Sequence, residues 1–175
     1  MKEKILFILT ILTSVTFFAQ RATYSNIGAT VGYVENGYGL QGVYDYSLDD
    51  KKAIQGVVHY SNSTLTGIPV EYFGINGNLL FKAFYDRYLY ETFIGIGFNT
   101  GYESINAAQM SLDNGSVINS QSNWIYGAQL SFQGEYYITD RIGGYITFVQ
   151  YYHKNSDLGD FTPYIGAGIK YLLFN

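Results

Sequence analysis

The sequence predicts an all-β protein: an eight-stranded antiparallel β-barrel of the outer-membrane type and of the smallest size, preceded by a cleaved signal peptide. Three observations predict it. They are segments of about ten residues in which apolar and polar side chains alternate, an aromatic content of 18% carried by 19 Tyr and 12 Phe, and polar, Gly-containing segments between them. Successive side chains of a strand point to opposite faces, so these segments place one row toward lipid and the other toward a polar interior.

The N-terminus has the features of a secretory signal peptide. Two lysines precede an apolar run, Ile5 to Phe18, and Ala19 is the residue expected before the cleavage site. The run is too short for the roughly 20 residues of a membrane-spanning helix. The alternative is a buried N-terminal helix, but nothing later in the chain supplies a helical partner. We therefore expect an exported protein with residues 1–19 as the signal peptide and residues 20–175 as one barrel domain.

Composition excludes several classes of protein. The absence of Cys excludes a lipid-modified N-terminal Cys, a disulfide framework and a thiol nucleophile. Acidic residues outnumber basic ones by 14 to 10, and loss of residues 1–19 changes the net charge from −4 to −5. No basic patch of the kind that binds nucleic acid is visible. We expect no direct nucleic-acid binding, no small-molecule substrate and no cofactor.

The first four strands are predicted from the alternation of side chains. In Leu40–Leu48, for example, Leu40 and Tyr44 share the outward row, whereas Gln41 and Asp45 share the inward row. The four segments are Asn26–Val34, Leu40–Leu48, Ala53–Ser61 and Val70–Phe81, joined by the turn Glu35–Gly39, the charged turn Asp49–Lys52 and the longer polar loop Asn62–Pro69.

The clearest alternation lies in Trp124–Tyr152, which predicts two long strands joined at Thr139–Arg141. One row of the first arm is apolar and aromatic, from Trp124 to Tyr136, and the other is mostly small and polar. Its 13 residues exceed most soluble strands. They suffice to cross a membrane at a tilt, which needs roughly 9–11 residues. The remaining predicted segments are the strands Tyr90–Tyr102 and, from Thr162, the last strand, together with the loops Glu103–Asn123 and His153–Phe161.

The lengths of the connections predict the topology. The connections after the second, fourth and sixth strands are tight turns, at Asp49–Lys52, Tyr85–Tyr88 and Thr139–Arg141, whereas every long loop follows an odd-numbered strand. An even-stranded barrel with both termini in the periplasm has short periplasmic turns and longer outer loops. A secreted β-sandwich or lipocalin-like barrel is the alternative, but its charged residues would lie outside and its apolar residues inside.

The inward rows predict a filled interior without an open channel, because eight strands enclose a space only just wide enough for side chains. Large inward side chains then need small neighbours, and inward charges should be paired, because an unpaired buried ion is costly. We expect the pairs Glu135–Lys170 and Asp45–Lys82. The inward glycines are Gly28, Gly32, Gly95, Gly97, Gly127, Gly166 and Gly168.

From Gly101 onward the sequence resembles a known family, the conjugative transposon protein TraO of Bacteroides-type elements. The resemblance is strong over about the last 75 residues and loose before them. It implies membership of a conjugation apparatus, in its outer-membrane portion, and supplies no catalytic residue. The segments that carry it are Gly101–Asn106, Asp113–Ile118, Trp124–Gly127, Glu135–Arg141 and Gly166–Tyr171, with Ala19–Arg21 at the end of the exported N-terminus.

Catalytic and metal-binding patterns are weak. A lipid-modifying enzyme could use His59 beside Ser61, or His153 followed by Ser156, Asp157 and Asp160. Such residues are also what loops are normally made of. Asp113, Asp157 and Asp160 could bind Ca²⁺ but lack the spacing of a calcium loop, and Asp113–Gly115 is most simply a turn.

We therefore expect a non-enzymatic outer-membrane barrel that serves a conjugal transfer apparatus, with no catalytic, cofactor-binding or metal-binding residues. Its expected partners are other envelope proteins of that apparatus and outer-membrane lipid. The loop Glu103–Asn123 is the expected contact surface, because loops held by a rigid scaffold often carry function. A general outer-membrane adhesion or stability barrel and, last, a lipid-modifying enzyme are the alternatives.

Overall fold

The computed structural model describes residues 24–65, 67–86, 89–109, 122–156 and 159–173. The predicted signal peptide lies outside these residues, as do Asp113 and Asp157. No helix among the described residues is long and apolar enough to span a membrane. The strands are β1 Ser25–Val34, β2 Gly37–Asp49, β3 Lys52–Leu65, β4 Ile68–Asp86, β5 Tyr90–Ile105, β6 Asn123–Tyr137, β7 Ile142–Lys154 and β8 Phe161–Leu173, with a short 3-10 helix at Asn106–Ala108.

The eight strands form a closed antiparallel barrel in which each strand pairs with its neighbours in sequence. Closure comes from β1 and β8, which pair over the whole of β1, from Ser25 opposite Leu173 to Val34 opposite Tyr164. The predicted fold class is confirmed. We call the end with the termini and the β2–β3, β4–β5 and β6–β7 connections the turn end, and the opposite end the loop end.

The outer surface is apolar, as the alternation predicts. Val31 is 62% exposed and Leu130 56%, whereas their polar strand neighbours Thr30 and Gln129 are buried. Trp124 and Tyr136, at the two ends of β6, are also exposed, and this position suits aromatic residues at the two borders of a bilayer. The barrel is therefore inverted relative to a soluble protein: it presents apolar side chains outside and polar ones inside.

Glycines provide the space that the largest inward side chains need. The ring of Tyr164, which is 0% exposed, lies against three of them. A Cβ added to Gly32, Gly39 or Gly166 would come within 2.7–2.9 Å of that ring. The prediction that large inward residues need small neighbours is confirmed at this layer.

The predicted polar loop Asn62–Pro69 is wrong. The strands continue through it, with Ser63 opposite Val70 and Leu65 opposite Ile68. Gly67, at φ +85°, adopts a conformation that other residues rarely allow, and this lets the chain turn tightly between the two strands. Among the four loop-end connections, only those after β5 and β7 are long. The prediction that every long loop lies at this end still holds.

Candidate functional site

A buried ion cluster lies inside the barrel, toward the turn end. The ammonium nitrogen of Lys170 is 2.6 Å from Oδ2 of Asp45 and also binds Oε1 of Glu135. It lies 4.5 Å from the centre of the Tyr145 ring. The predicted pair Glu135–Lys170 is confirmed, and it joins β8 to a strand that is not its neighbour.

The predicted pair Asp45–Lys82 is wrong, although both side chains point inward as expected. Lys82 Nζ lies 2.6 Å from Oε1 of Glu91, across the β4–β5 hairpin. Asp45 instead reaches Lys170 across the interior. A clue was available: Lys82 and Glu91 are both inward residues close to the same tight turn.

Side-chain amides extend this cluster across the middle of the barrel. Gln55 donates to Asp45 over 2.8 Å and accepts hydrogen bonds from Asn78 and Gln133 over 2.9 and 2.8 Å. Gln129 donates in turn to Asn78. These contacts join β2, β3, β4 and β6 from inside, so the polar interior also holds the barrel together.

An aromatic layer closes the interior toward the loop end. Tyr151 Oη accepts hydrogen bonds from Gln41 and Asn76 over 2.9 and 3.1 Å and lies 2.9 Å from Nδ1 of His59. The Tyr151 and His153 rings are stacked with centres 5.6 Å apart. The Tyr151 hydroxyl therefore lies within hydrogen-bonding distance of polar side chains from three other strands.

Replacing Tyr151 by Phe should lower the free energy of unfolding by about 2 kcal/mol, because it leaves buried polar groups without their partner. Urea unfolding of the refolded protein in lipid vesicles measures this change. Tyr152→Phe is the matched control, because its side chain points outward and is 40% exposed. Equal stabilities for the two variants would contradict the role given to the Tyr151 hydroxyl.

The residues considered for catalysis do not form one constellation. His59 Nδ1 lies 3.0 Å from Gln41 Nε2 and 2.9 Å from Tyr151 Oη, and Ser61 is not among its partners. His153 Nδ1 lies 3.1 Å from Asn99 Oδ1, whereas its backbone nitrogen donates to the carbonyl of Asp160 over 2.7 Å. Both histidines are thus held in the polar packing of the interior.

Ser156 has a partner that the sequence did not indicate. Its hydroxyl lies 3.0 and 3.1 Å from the two carboxylate oxygens of Glu103. This contact joins the β7–β8 connection to the end of β5. Nothing in the sequence pairs the two residues, which are 53 positions apart. Within the described part of the chain, no three His, Asp or Glu side chains are grouped so that they could hold a metal ion.

The barrel has a cavity at each end. The loop-end cavity, of about 60 Å³, is lined by His59, Glu103 and Ser156 among others. The turn-end cavity is larger, about 670 Å³, and is lined by Glu91, Glu135, Arg141 and Lys170 among others. The amide network and side chains such as Gln55 and Leu80, each 1% exposed, separate the two. The interior is therefore filled at mid-height, as predicted.

The base of the predicted contact loop is firmly held. Glu103 pairs with Asn123 at the end of the barrel wall, and the Ser122 hydroxyl accepts a hydrogen bond from the backbone of Ile105 over 2.9 Å. The Asn123 side chain donates to the carbonyl of Asn155 over 3.4 Å. The end of the β5–β6 connection thus lies beside the start of the β7–β8 connection. Residues 110–121 lie outside the described residues.

A family model described as conjugative transposon protein TraO matches residues 33–173. The chain belongs to this family. The match to the TraO family thus runs from the end of β1 through β8, and it includes β2 to β4, where the resemblance is loose. A comparison with curated proteins gave no match.

Three of the solved structures that are similar to this TraO-family barrel are those of outer-membrane proteins. A major outer membrane protein from Thermus thermophilus gives a TM-score of 0.61 at 11% identity, covering 87% of this chain and 100% of that one. The N-terminal β-barrel domain of OprF from Pseudomonas aeruginosa gives 0.60 at 11%, covering 88% and 100%. Ail, the attachment invasion locus protein of Yersinia pestis, gives 0.55 at 12%, covering 86% and 97%. At these identities the likeness shows the fold alone.

Proposed function

We propose that this protein is a non-catalytic outer-membrane component of a conjugal transfer apparatus. The observation that carries the proposal is the match of the conjugative transposon family to residues 33–173. The barrel would anchor the apparatus in the outer membrane and present its ends to other envelope proteins. The interior supports an anchoring role, because the amide network around Gln55 cross-links four strands from inside.

The proposed orientation places the turn end and both termini in the periplasm. The long connections after β5 and β7 then lie outside the cell, as in barrels with short periplasmic turns and longer outer loops. The chain would contact outer-membrane lipid through its apolar exterior. Partners in the periplasm would meet the turn end. Direct binding of nucleic acid is not part of the proposal, because the chain has a net charge of −4.

Deleting residues 109–120 should leave a folded barrel and lower the frequency of conjugal transfer about tenfold or more, if this loop contributes more than about 1.4 kcal/mol to a contact that transfer needs. The hydrogen bonds at the loop base, from Ser122 and Asn123, lie outside the deletion. Transfer between donor and recipient cells is measured by counting recipients that acquire the element.

The control for this deletion is folding. A folded barrel in the outer-membrane fraction shows that any loss of transfer comes from the loop and not from a missing protein. Unchanged transfer would remove the loop from the proposal. Unchanged transfer after deletion of the whole gene would favour a general adhesion or stability barrel. A lipid-hydrolysis activity that His153→Ala abolished would contradict the non-catalytic role.

A further inference from the structure

One strand extends beyond its neighbour at the turn end. β3 begins at Lys52, which lies opposite Phe81, whereas β4 runs on toward the β4–β5 turn. Beyond Lys82 the strand pairs, among the described residues, with β5: Phe84 lies opposite Thr92, and Tyr85 opposite Glu91. Within the described part of the chain, no strand pairs with the β3-facing edge of β4 over residues 83–85, and we call this segment the open edge.

The side chains along this open edge are exposed on both faces. Ala83, Phe84 and Tyr85 are all exposed, so the alternation of the barrel wall ends here. Phe84, at 69%, is the most exposed large apolar side chain in the described part of the chain. The pairing register shifts between Lys82 and Phe84, and the bulge bends the strand. This edge thus continues past the wall of the barrel.

The side chains of Phe84 and Tyr85 point to opposite faces of β4. Phe84 lies on the same face as its pairing partner Thr92, which belongs to the outward row. Tyr85 lies on the inward side of Glu91, with its ring centre 5.6 Å from the Lys82 ammonium nitrogen. An aromatic belt at the membrane border would account for Phe84. It does not account for Tyr85, which faces the opening of the barrel.

Backbone groups on this edge can form further strand pairs. The last bond to the β3 side runs from the Lys82 nitrogen to the carbonyl of Lys51 over 2.8 Å. The nitrogen and oxygen of Phe84 are instead bonded to the Thr92 hydroxyl on β5, over 2.9 and 3.0 Å. Because successive amides of a strand point to opposite sides, the Tyr85 amide faces the open edge. Such an edge is a template for another strand.

Two positive side chains lie where the open edge of β4 meets the start of β3, and their charge favours an acidic binding partner. A strand added antiparallel to β4 would lie in line with β3 and run toward the β2–β3 turn. Lys51 and Lys52 are exposed on the β3 side of that turn. Asp49, the last residue of β2, accepts the Lys51 amide over 2.7 Å, whereas the carbonyl of Lys51 is bonded to β4 at Lys82. The C-terminal end of the added strand would therefore meet two ammonium groups.

We propose that the open edge of β4 binds, by β-strand addition, an extended segment of a periplasmic partner protein that ends in an acidic side chain or a free C-terminal carboxylate. Backbone pairing holds the segment, Phe84 and Tyr85 pack against its two rows of side chains, and Lys51 and Lys52 bind its negative end. The inference rests on the proposed function for the location of this edge in the periplasm. A second copy in the same membrane could pair with this edge through its own β4 only in parallel, because both β4 strands would run in the same direction. Every strand pair of this barrel is antiparallel.

Photo-cross-linking of the full-length protein in donor cells tests this proposal. A photoreactive amino acid at position 84 should give an adduct with one discrete polypeptide. The same amino acid at position 138 should give none, although Ile138 is 62% exposed at the same end, because its backbone nitrogen is bonded within the β6–β7 turn. Lys51→Glu combined with Lys52→Glu should lower the yield of the adduct about fivefold or more. Lys154→Glu, at the loop end, should leave the yield unchanged.

Three outcomes would overturn the inference: an adduct with twice the mass of this chain, an adduct with lipid, or a folded barrel that gives no adduct at position 84. An adduct that the lysine changes do not weaken would also overturn it, because the acidic end of the segment is part of the proposal. Transfer frequency is measured in the same cells. A lysine-dependent adduct together with normal transfer after gene deletion would support the open edge and contradict the proposed function.

Discussion

Replacing Lys170 by Met should lower the free energy of unfolding by about 3–5 kcal/mol, the cost of removing one partner from a buried ion pair. Lys170 is 4% exposed and is the cation that binds both Asp45 and Glu135. Its loss would leave two buried carboxylates facing each other without a counter-ion. Urea unfolding in lipid vesicles, followed by tryptophan fluorescence of Trp124, measures the change.

Two further variants make this prediction specific. Lys154→Met removes an exposed lysine at the loop end and should change the stability by less than about 0.5 kcal/mol. The triple change Asp45→Asn, Glu135→Gln and Lys170→Met removes all three charges and should recover most of the loss, because no ion is left unpaired. A Lys170→Met variant as stable as the parent protein would show that Asp45 and Glu135 do not need Lys170 as a buried counter-ion.

Replacing Gly168 by Val should prevent closure of the barrel or lower the free energy of unfolding by about 3 kcal/mol or more, because overpacking against a backbone cannot be relieved by a side-chain rotation. Gly168 lies opposite Thr30 where β8 meets β1. A Cβ at this position would lie 2.8 Å from the carbonyl carbon of Ala29 and from the Cα of Thr30. The gel mobility of unheated samples measures the folded fraction.

The matched control for Gly168→Val is Gly56→Ala. Gly56 faces outward on β3, and a Cβ there would meet no atom within 4 Å. The control should fold normally and gain up to about 0.5 kcal/mol from the lower flexibility of its unfolded chain. Normal folding of Gly168→Val would mean that the β1–β8 pairing can separate locally, which the tight contact does not allow.

Much of the fold could be predicted because alternation is a local property. The inward rows of β2, β4 and β6 could be assigned before their neighbours were known, since a side chain's face depends only on its position along the strand. Strand ends were predicted less well. The polar residues of Asn62–Pro69 favour a loop in the sequence. In the structure β3 and β4 continue through that segment, because pairing between backbones does not depend on the type of side chain.

The interior contacts could be predicted only in part. Glu135–Lys170 followed from the need to pair inward charges. The predicted pair Asp45–Lys82, however, is wrong, because the sequence does not show at what height along the barrel axis each inward residue lies. That height depends on the tilt and stagger of all eight strands. The contact between Ser156 and Glu103 depends in the same way on where two distant segments meet.

The sequence by itself determined the membrane-barrel class, the direction in which the strand side chains point and the resemblance to the TraO family, since these follow from local alternation and from the order of short motifs. The tertiary structure alone decided that Lys170 binds two carboxylates and that, among the described residues, no strand covers the β3-facing edge of β4 at residues 83–85. Both depend on where the neighbouring strands begin and end after closure. That relation is between segments far apart in the chain, and no local pattern records it.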